Sequence, residues 1–249
     1  MKNRGMKKTI FDDPEFLSEY LKLRQNPIGH NEIIEKPAIY SLLPPISGHQ
    51  VLDLGCGFGD FCRYAVSKHA HSVVGIDLSR EMIARAKATA PKDSILYLVG
   101  DIEDADFPDI PFNLVFSSLA LHYVADFGKL VSRVAQSLVN GGDFIFSVEH
   151  PIMTAQESGW EHAEGGKKKA WLLDSYGTEG RRVVKWLERS VPKYHRKVET
   201  YVSTLLEAGF SIRGLLEPQP TQAVLTANPS LAYELMRPPY LVLSAKLNR

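Results

Sequence analysis

Residues Val51 to Asp60 read VLDLGCGFGD, a short apolar run broken by Asp53 and followed by glycines at 55, 57 and 59. The run has the composition of a strand buried on both faces. Glycines directly after it let backbone N–H groups come close to a ligand, because no side chain stands in the way. The same rhythm continues downstream. Compact apolar runs predict strands at Val51–Leu54, Ser72–Ile76, Ile95–Val99, Leu114–Ser118 and Phe144–Val148. Helical patterning fills the intervals at Phe61–Lys68, Arg80–Ala90 and Phe127–Val139, with Asn140-Gly141-Gly142 stopping the last helix. Strands alternating with helices predict parallel strands joined by crossovers. An open sheet of that kind binds ligands beyond the carboxyl ends of its strands, where Gly55, Gly57 and Gly59 fall.

Outside this unit, Pro14–Arg24 and Asn31–Leu42 are helical in pattern, and Pro44-Pro45 closes the second. From Ile152 to about Ser190 the chain turns polar and glycine-rich, yet carries Trp160, Trp171, Tyr176 and Trp186; this predicts an insertion folded over the ligand edge. Helical order returns at Lys193–Ala208, where Val198, Tyr201, Val202, Leu205 and Leu206 share one face, and Gly209 ends it. Phe210–Leu216 and Tyr240–Leu247 supply the last strands. The expected fold class is α/β: a Rossmann-like, seven-stranded, mostly parallel sheet with helices on both faces and an antiparallel last strand. The chain reads as a single domain, 1–249, with 1–46 as an N-terminal helical cap and 152–190 as a lid-like insertion.

Bulk properties exclude several partners. Lysine plus arginine, 29, equals aspartate plus glutamate, so the formal net charge is zero and no global field favours nucleic acid or an anionic membrane. Nowhere do about 18 apolar residues run uninterrupted, so a soluble, cytoplasmic protein with no membrane partner is expected. The two cysteines, Cys56 and Cys62, form no CxxC pair, and no metal site is predicted. Lys167-Lys168-Lys169 reads as solvated loop, and Arg237-Pro238-Pro239-Tyr240 lies too late in the chain to serve as a fourth-strand amino-methylation motif. The oligomeric state is left open.

The glycine spacing narrows the ligand. A diphosphate-binding G-x-G-x-x-G loop needs its third glycine at position 60, which is Asp60. Asp53 just ahead of the turn favours an ammonium and disfavours phosphate. Together these suit a cofactor bearing an amino acid. The segment Asp53-Leu54-Gly55-Cys56-Gly57-Phe58-Gly59 resembles the D/E-x-G-x-G-x-G signature of class I S-adenosylmethionine-dependent methyltransferases, and the chain is similar throughout to their type 11 small-molecule subgroup. NEIIEKPAIYSLLP before the first strand, EHP at 149–151 and YHRKVETYVSTLLEAGF at 194–210 carry that likeness, while Asn140 departs from it where many relatives have proline. The resemblance implies S-adenosylmethionine as cofactor and S-adenosylhomocysteine as product. It places Asp77 on the ribose hydroxyls with Leu78 and Met82 beside it. Asp101 would take the adenine amino group with Ile102 as a flat neighbour. Asp53, Gly55, Cys56, Gly57, Ser117 and Leu119 would flank the methionine end, with Tyr20 and Arg24 of the first helix closing over it.

Methyl transfer demands alignment and exclusion of water, with a base only where the acceptor must lose a proton. His122, His150 and His195 are the candidates for that base, because their inferred positions face the ligand edge and histidine titrates nearest neutrality. Tyr123, Tyr176, Trp186 and Tyr194 are candidates for an aromatic wall around a small-molecule acceptor. Two other readings remain at this point: a nicotinamide-dependent oxidoreductase, and a non-catalytic module that binds S-adenosylmethionine or S-adenosylhomocysteine.

Overall fold

The computed structural model describes residues 9–90, 94–155 and 159–248, so residues 1–8 of the expected cap and 156–158 of the expected insertion lie outside the described residues. The strands are β1 (Gln50–Leu54), β2 (Ser72–Asp77), β3 (Leu96–Val99), β4 (Phe112–Ser118), β5 (Leu138–Glu149), β6 (Trp160–His162), β7 (Lys168–Trp171), β8 (Gly180–Trp186), β9 (Arg189–His195), β10 (Phe210–Leu216) and β11 (Tyr240–Leu247). The helices are α1 (Pro14–Arg24), α2 (Lys36–Ser41), α3 (Asp60–Ser67), α4 (Arg80–Thr89), α5 (Phe127–Ser137), α6 (Pro151–Thr154), α7 (Val198–Glu207) and α8 (Gln222–Ala227).

Seven strands form one sheet in the order β3-β2-β1-β4-β5-β11-β10. β1 to β5 run parallel, and β11 runs antiparallel to both β5 and β10. The strand order reverses between β1 and β4, which sets the switch point beside the glycine turn. Period-2 alternation builds two cores. Val51, Leu114, Phe116 and Ile145 face α2, α3 and α4, where Phe61 stacks on Phe116 at 3.5 Å between ring centroids. Leu52, Leu54, Val115, Phe144 and Phe146 face α5 and α7. In α5 the buried stripe Phe127, Leu130, Val131, Val134 and Ala135 follows helical spacing, and Asp126 caps it by accepting from Lys129 N at 2.8 Å.

Two helices expected in this region need correction. The helix over 127–139 stops at Ser137, and Asn140-Gly141-Gly142 is a bulge inside β5: pairing jumps from Phe112↔Leu138 to Leu114↔Asp143. Gly141, at φ 76°, makes the bend. The helix expected over Lys193–Ala208 begins only at Val198, because Lys193, Tyr194 and His195 pair with Arg182, Arg181 and Gly180 in the β8–β9 ladder. The stretch over 152–190 holds most of α6, the β6–β7 hairpin and most of β8–β9.

The second N-terminal helix is also divided. Asn31–Glu35 is a π turn, with Lys36 N bonded to Asn31 O, before α2 begins. Pro37 explains it, since proline has no N–H to return to Ile33 and the ladder must shift. Among the described residues no helix is long and apolar enough to cross a membrane.

Candidate functional site

β1 ends in a turn that three glycines shape for different reasons. A Cβ on Gly55 would collide with Ala120, and one on Gly59 with the Tyr97 hydroxyl, so these two glycines permit close packing. A Cβ on Gly57, at φ 52°, would meet nothing within 4 Å and would project into a cavity. Gly55 N and Cys56 N hold the turn against Ile76 O at 2.8 and 3.0 Å. At the end of β2, Asp77 accepts from Gly57 N through Oδ2 and from Ser79 N through Oδ1, both at 2.8 Å. Burial pushes its carboxyl up, against the two backbone N–H groups that favour the charge. Each oxygen retains a lone-pair direction for a further donor.

The cavity measures about 1020 Å³. Tyr20, Arg24, Asp53, Gly55, Cys56, Gly57, Asp77, Leu78, Met82, Asp101, Ile102 and Leu119 all line it, as the sequence reading expects. Ser117 does not. It is fully buried with its hydroxyl donated to Leu54 O at 2.6 Å, and strand alternation turns Ser118 toward the cavity instead. Leu119 has a φ of 52°, rare for a non-glycine residue, held by Leu119 N donating to both the carbonyl and the hydroxyl of Ser147. Arg24 donates to Asp60 at 3.3 Å, so its charge is already shared with the start of α3.

Asp53 is buried, and burial pushes its carboxyl up to about 7. The Cys62 thiol donates to it at 3.3 Å, and no protein cation pairs with it among the described residues. A buried acid in that state suits a ligand ammonium.

The three candidate histidines separate. His122 lines the cavity; its Nδ1 accepts from Glu149 N at 3.4 Å, and burial pushes its pKa down to about 4. With Nδ1 accepting, the proton of the neutral ring lies on Nε2, so His122 offers the cavity a donor and not a base. His150 is withdrawn: Nδ1 caps α6 by accepting from Ile152 N at 3.2 Å, and Nε2 pairs with Glu217 at 2.7 Å. His195 is also withdrawn, with Nδ1 on Thr154 at 2.9 Å and Nε2 on Tyr176 O at 3.0 Å. Of the aromatic candidates, Tyr123, Trp186 and Tyr194 line the cavity. Tyr176 does not; its hydroxyl accepts from Val198 N at 3.2 Å and its ring packs on His195.

Other cavity residues, Phe11, Glu149 and Glu35, were not legible in the sequence. Phe11 roofs the cavity together with Trp186, whose ring packs 6.3, 5.4 and 5.7 Å from Phe11, Phe16 and Tyr20. Glu149 receives the Lys193 ammonium at 2.5 Å, which pins β9 to the end of β5. Burial works against the charge on Glu149, but the attraction of its surroundings wins and the carboxyl stays below its usual range. Glu35, on the π turn, lies over the ends of β4 and β5 and accepts from Ser118 Oγ at 2.9 Å and Ser147 Oγ at 2.5 Å. Glutamate as the fifth residue of the expected helix Asn31–Leu42 gives no such signal.

A mostly parallel sheet has a glycine turn at its switch point, a buried acid at the end of β2 and no third diphosphate glycine, an arrangement that suits a nucleoside-type cofactor. Residues 52–146 match the type 11 methyltransferase domain model. The solved structure of an S-adenosylmethionine-dependent methyltransferase from Mesorhizobium loti is 45% identical, with a TM-score of 0.80 over 85% of this chain and 97% of that one. A protein of Haemophilus influenzae with no assigned function is 35% identical over 96% of both chains. A malonyl-[acyl-carrier protein] O-methyltransferase of Pectobacterium atrosepticum is 30% identical over 52% of this chain and 51% of its own length. The chain belongs to the S-adenosylmethionine-dependent methyltransferases. The residues present fit that cofactor: the space beyond Gly57 is open, Asp77 has acceptor capacity left, and Asp53 is a buried acid with no cation of its own among the described residues.

Proposed function

We propose that the enzyme methylates a small-molecule acceptor, held beside Leu119, His122 and Tyr123 beneath the Phe11–Trp186 roof. The observation that carries this reading is the single cavity shared by the glycine turn and that aromatic roof, since its volume of about 1020 Å³ is at the upper end of ordinary ligand pockets. In this reading Asp77 holds the ribose, Asp101 and Ile102 the adenine, and Asp53 the ammonium, with Leu78, Met82 and Cys56 filling around them. When bound, S-adenosylmethionine supplies an electrophilic methyl on a sulfonium centre. The chain's task is to align the acceptor and keep water out.

We read residues 1–249 as one domain in which the 1–46 cap and the insertion over 152–190 form that cover. Ser79 supports the first part, donating to Asp12 at 2.6 Å and so tying the cap to the cofactor side. The Lys193–Glu149 pair, which ties β9 to the end of β5, supports the second. Trp186→Ala removes the ring on which both covers meet; the expected result is a cofactor off-rate about tenfold higher, with the melting temperature little changed, read by stopped-flow displacement. An off-rate equal to that of the parent would remove the covering role. Reduced Cys56 and Cys62 accord with a cytoplasmic setting.

Asp53 makes cofactor affinity pH-dependent. Its raised pKa of about 7 means that an incoming ammonium must expel a proton below that pH. Affinity for S-adenosylhomocysteine should therefore be level above about pH 7 and fall by up to about tenfold per pH unit beneath it. Calorimetry across that range checks this, and Asp53→Asn should flatten the profile. The acceptor class is tested by incubating the enzyme with labelled S-adenosylmethionine and a metabolite extract. Label that passes a protein-retaining membrane is expected; label confined to macromolecules would contradict the reading.

A further inference from the structure

A carboxylate can be buried without a cation only if donors compensate it or a ligand does. Glu35 is 2% exposed, and both of its hydroxyl donors, Ser118 and Ser147, fall on the same oxygen, Oε1. Among the described residues no hydrogen bond reaches Oε2, and Glu35 lines the cavity. The cation whose charge acts on it, Arg24, is bonded to Asp60 instead. The position is informative too. Ser118 ends β4 two residues before Ala120, and Ala120 abuts Gly55 of the cofactor turn. Glu35 therefore overlooks the junction between the turn and the acceptor half. Across that half, His122 lines the cavity with its ring proton on Nε2, which suits a donor and not a base.

We propose that Glu35 is the catalytic base, and that the acceptor is an amine or hydroxyl compound that arrives carrying a proton. This rests on the small-molecule reading above. The acceptor's lone pair forms the new bond to the methyl carbon as the carbon–sulfur bond breaks; that bond's electron pair stays on sulfur as a neutral thioether. The acceptor's proton passes to Glu35 Oε2 and leaves to solvent with product. A carboxylic acid acceptor would instead set two anions together, with Arg24 already shared with Asp60. Arg24 of α1, Glu32 of the π turn, Tyr20 of α1, Tyr40 of α2 and Tyr240 of β11 face Glu35 and share its field, while burial favours its protonated form. The acid limb of turnover should therefore lie above the usual carboxylate range.

Glu35→Gln keeps the shape and an acceptor oxygen for both serines. Calorimetry with S-adenosylmethionine and S-adenosylhomocysteine is the first test. The variant should bind the thioether within about threefold of the parent, yet lose about tenfold of the preference for the sulfonium, as removal of one facing charge requires. Simple phenols, amines and carboxylic acids are the acceptor probes, read as S-adenosylhomocysteine formed. For a phenol or amine the variant should lower kcat about 100-fold or more with cofactor KM unchanged and the acid limb gone. Glu35→Asp should restore part of it. An unchanged sulfonium preference, or transfer to a carboxylic acid probe that ignores the variant, overturns the proposal. Should Glu35→Gln fail to fold, Ser118→Ala must raise the pH at which the parent's preference for the sulfonium appears, and no movement is equally fatal. If the parent binds neither compound, it is the reading of the site that fails.

Discussion

Gly57→Val should abolish measurable cofactor binding, raising Kd by about 1000-fold or more, while the protein stays folded. The reason lies in where its Cβ would go. The position meets no protein atom within 4 Å, so the added branches would occupy cavity space instead of displacing a neighbour. The φ of 52° adds roughly 1–2 kcal/mol of backbone strain, which in a chain of this length lowers the melting temperature by a few degrees only. Gly55→Val is the informative contrast. Its Cβ would strike Ala120, so that variant should lose stability and binding together. A melting curve beside a calorimetric titration separates the two. Gly57→Val binding like the parent would show that nothing lies against that main chain.

Asp77→Ala should weaken cofactor binding by about 2–4 kcal/mol, or about 30- to 1000-fold. Part of that loss is direct, through the acceptor positions left for two ribose hydroxyls. Part is indirect, because Asp77 also receives Gly57 N and Ser79 N and so links the turn to the start of α4. Asp77→Asn keeps one acceptor oxygen and should lose less. Isothermal titration with S-adenosylhomocysteine measures both variants, and parent-like affinity in folded Asp77→Ala would remove the residue from the site.

The two cores and the cofactor side were legible because they depend on regular signals. Apolar runs such as Val51–Leu54 and the i, i+3, i+4 stripe of α5 fix which face is buried, and the sheet then carries Asp53, Asp77 and Asp101 to adjoining strand ends. The acceptor side depends on irregular ones. The β8–β9 hairpin turns through Leu187 and Glu188, at φ 47° and 58°, where a left-handed turn ordinarily announces itself by Asn-Gly. With that turn silent, Lys193 to His195 read as helix, and the Lys193–Glu149 pair was out of view. Ser117 failed by one step of a period of two. His150 and His195 do not line the cavity, because Ile152 N, Glu217, Thr154 and Tyr176 O take their ring nitrogens, and His195 lies on β9 and not on the expected helix. Glu35 faces the cavity because Pro37 shifts the preceding turn to π geometry, which rotates the residues ahead of it relative to a regular helix.

Crystals of the enzyme grown with S-adenosylhomocysteine test the account most directly. The expected density places the ribose hydroxyls on the two oxygens of Asp77, the adenine against Ile102 and the thioether sulfur in the space between Gly57 and Leu119. Density with the ribose away from Asp77, or a cavity that stays empty at saturating ligand, would contradict it.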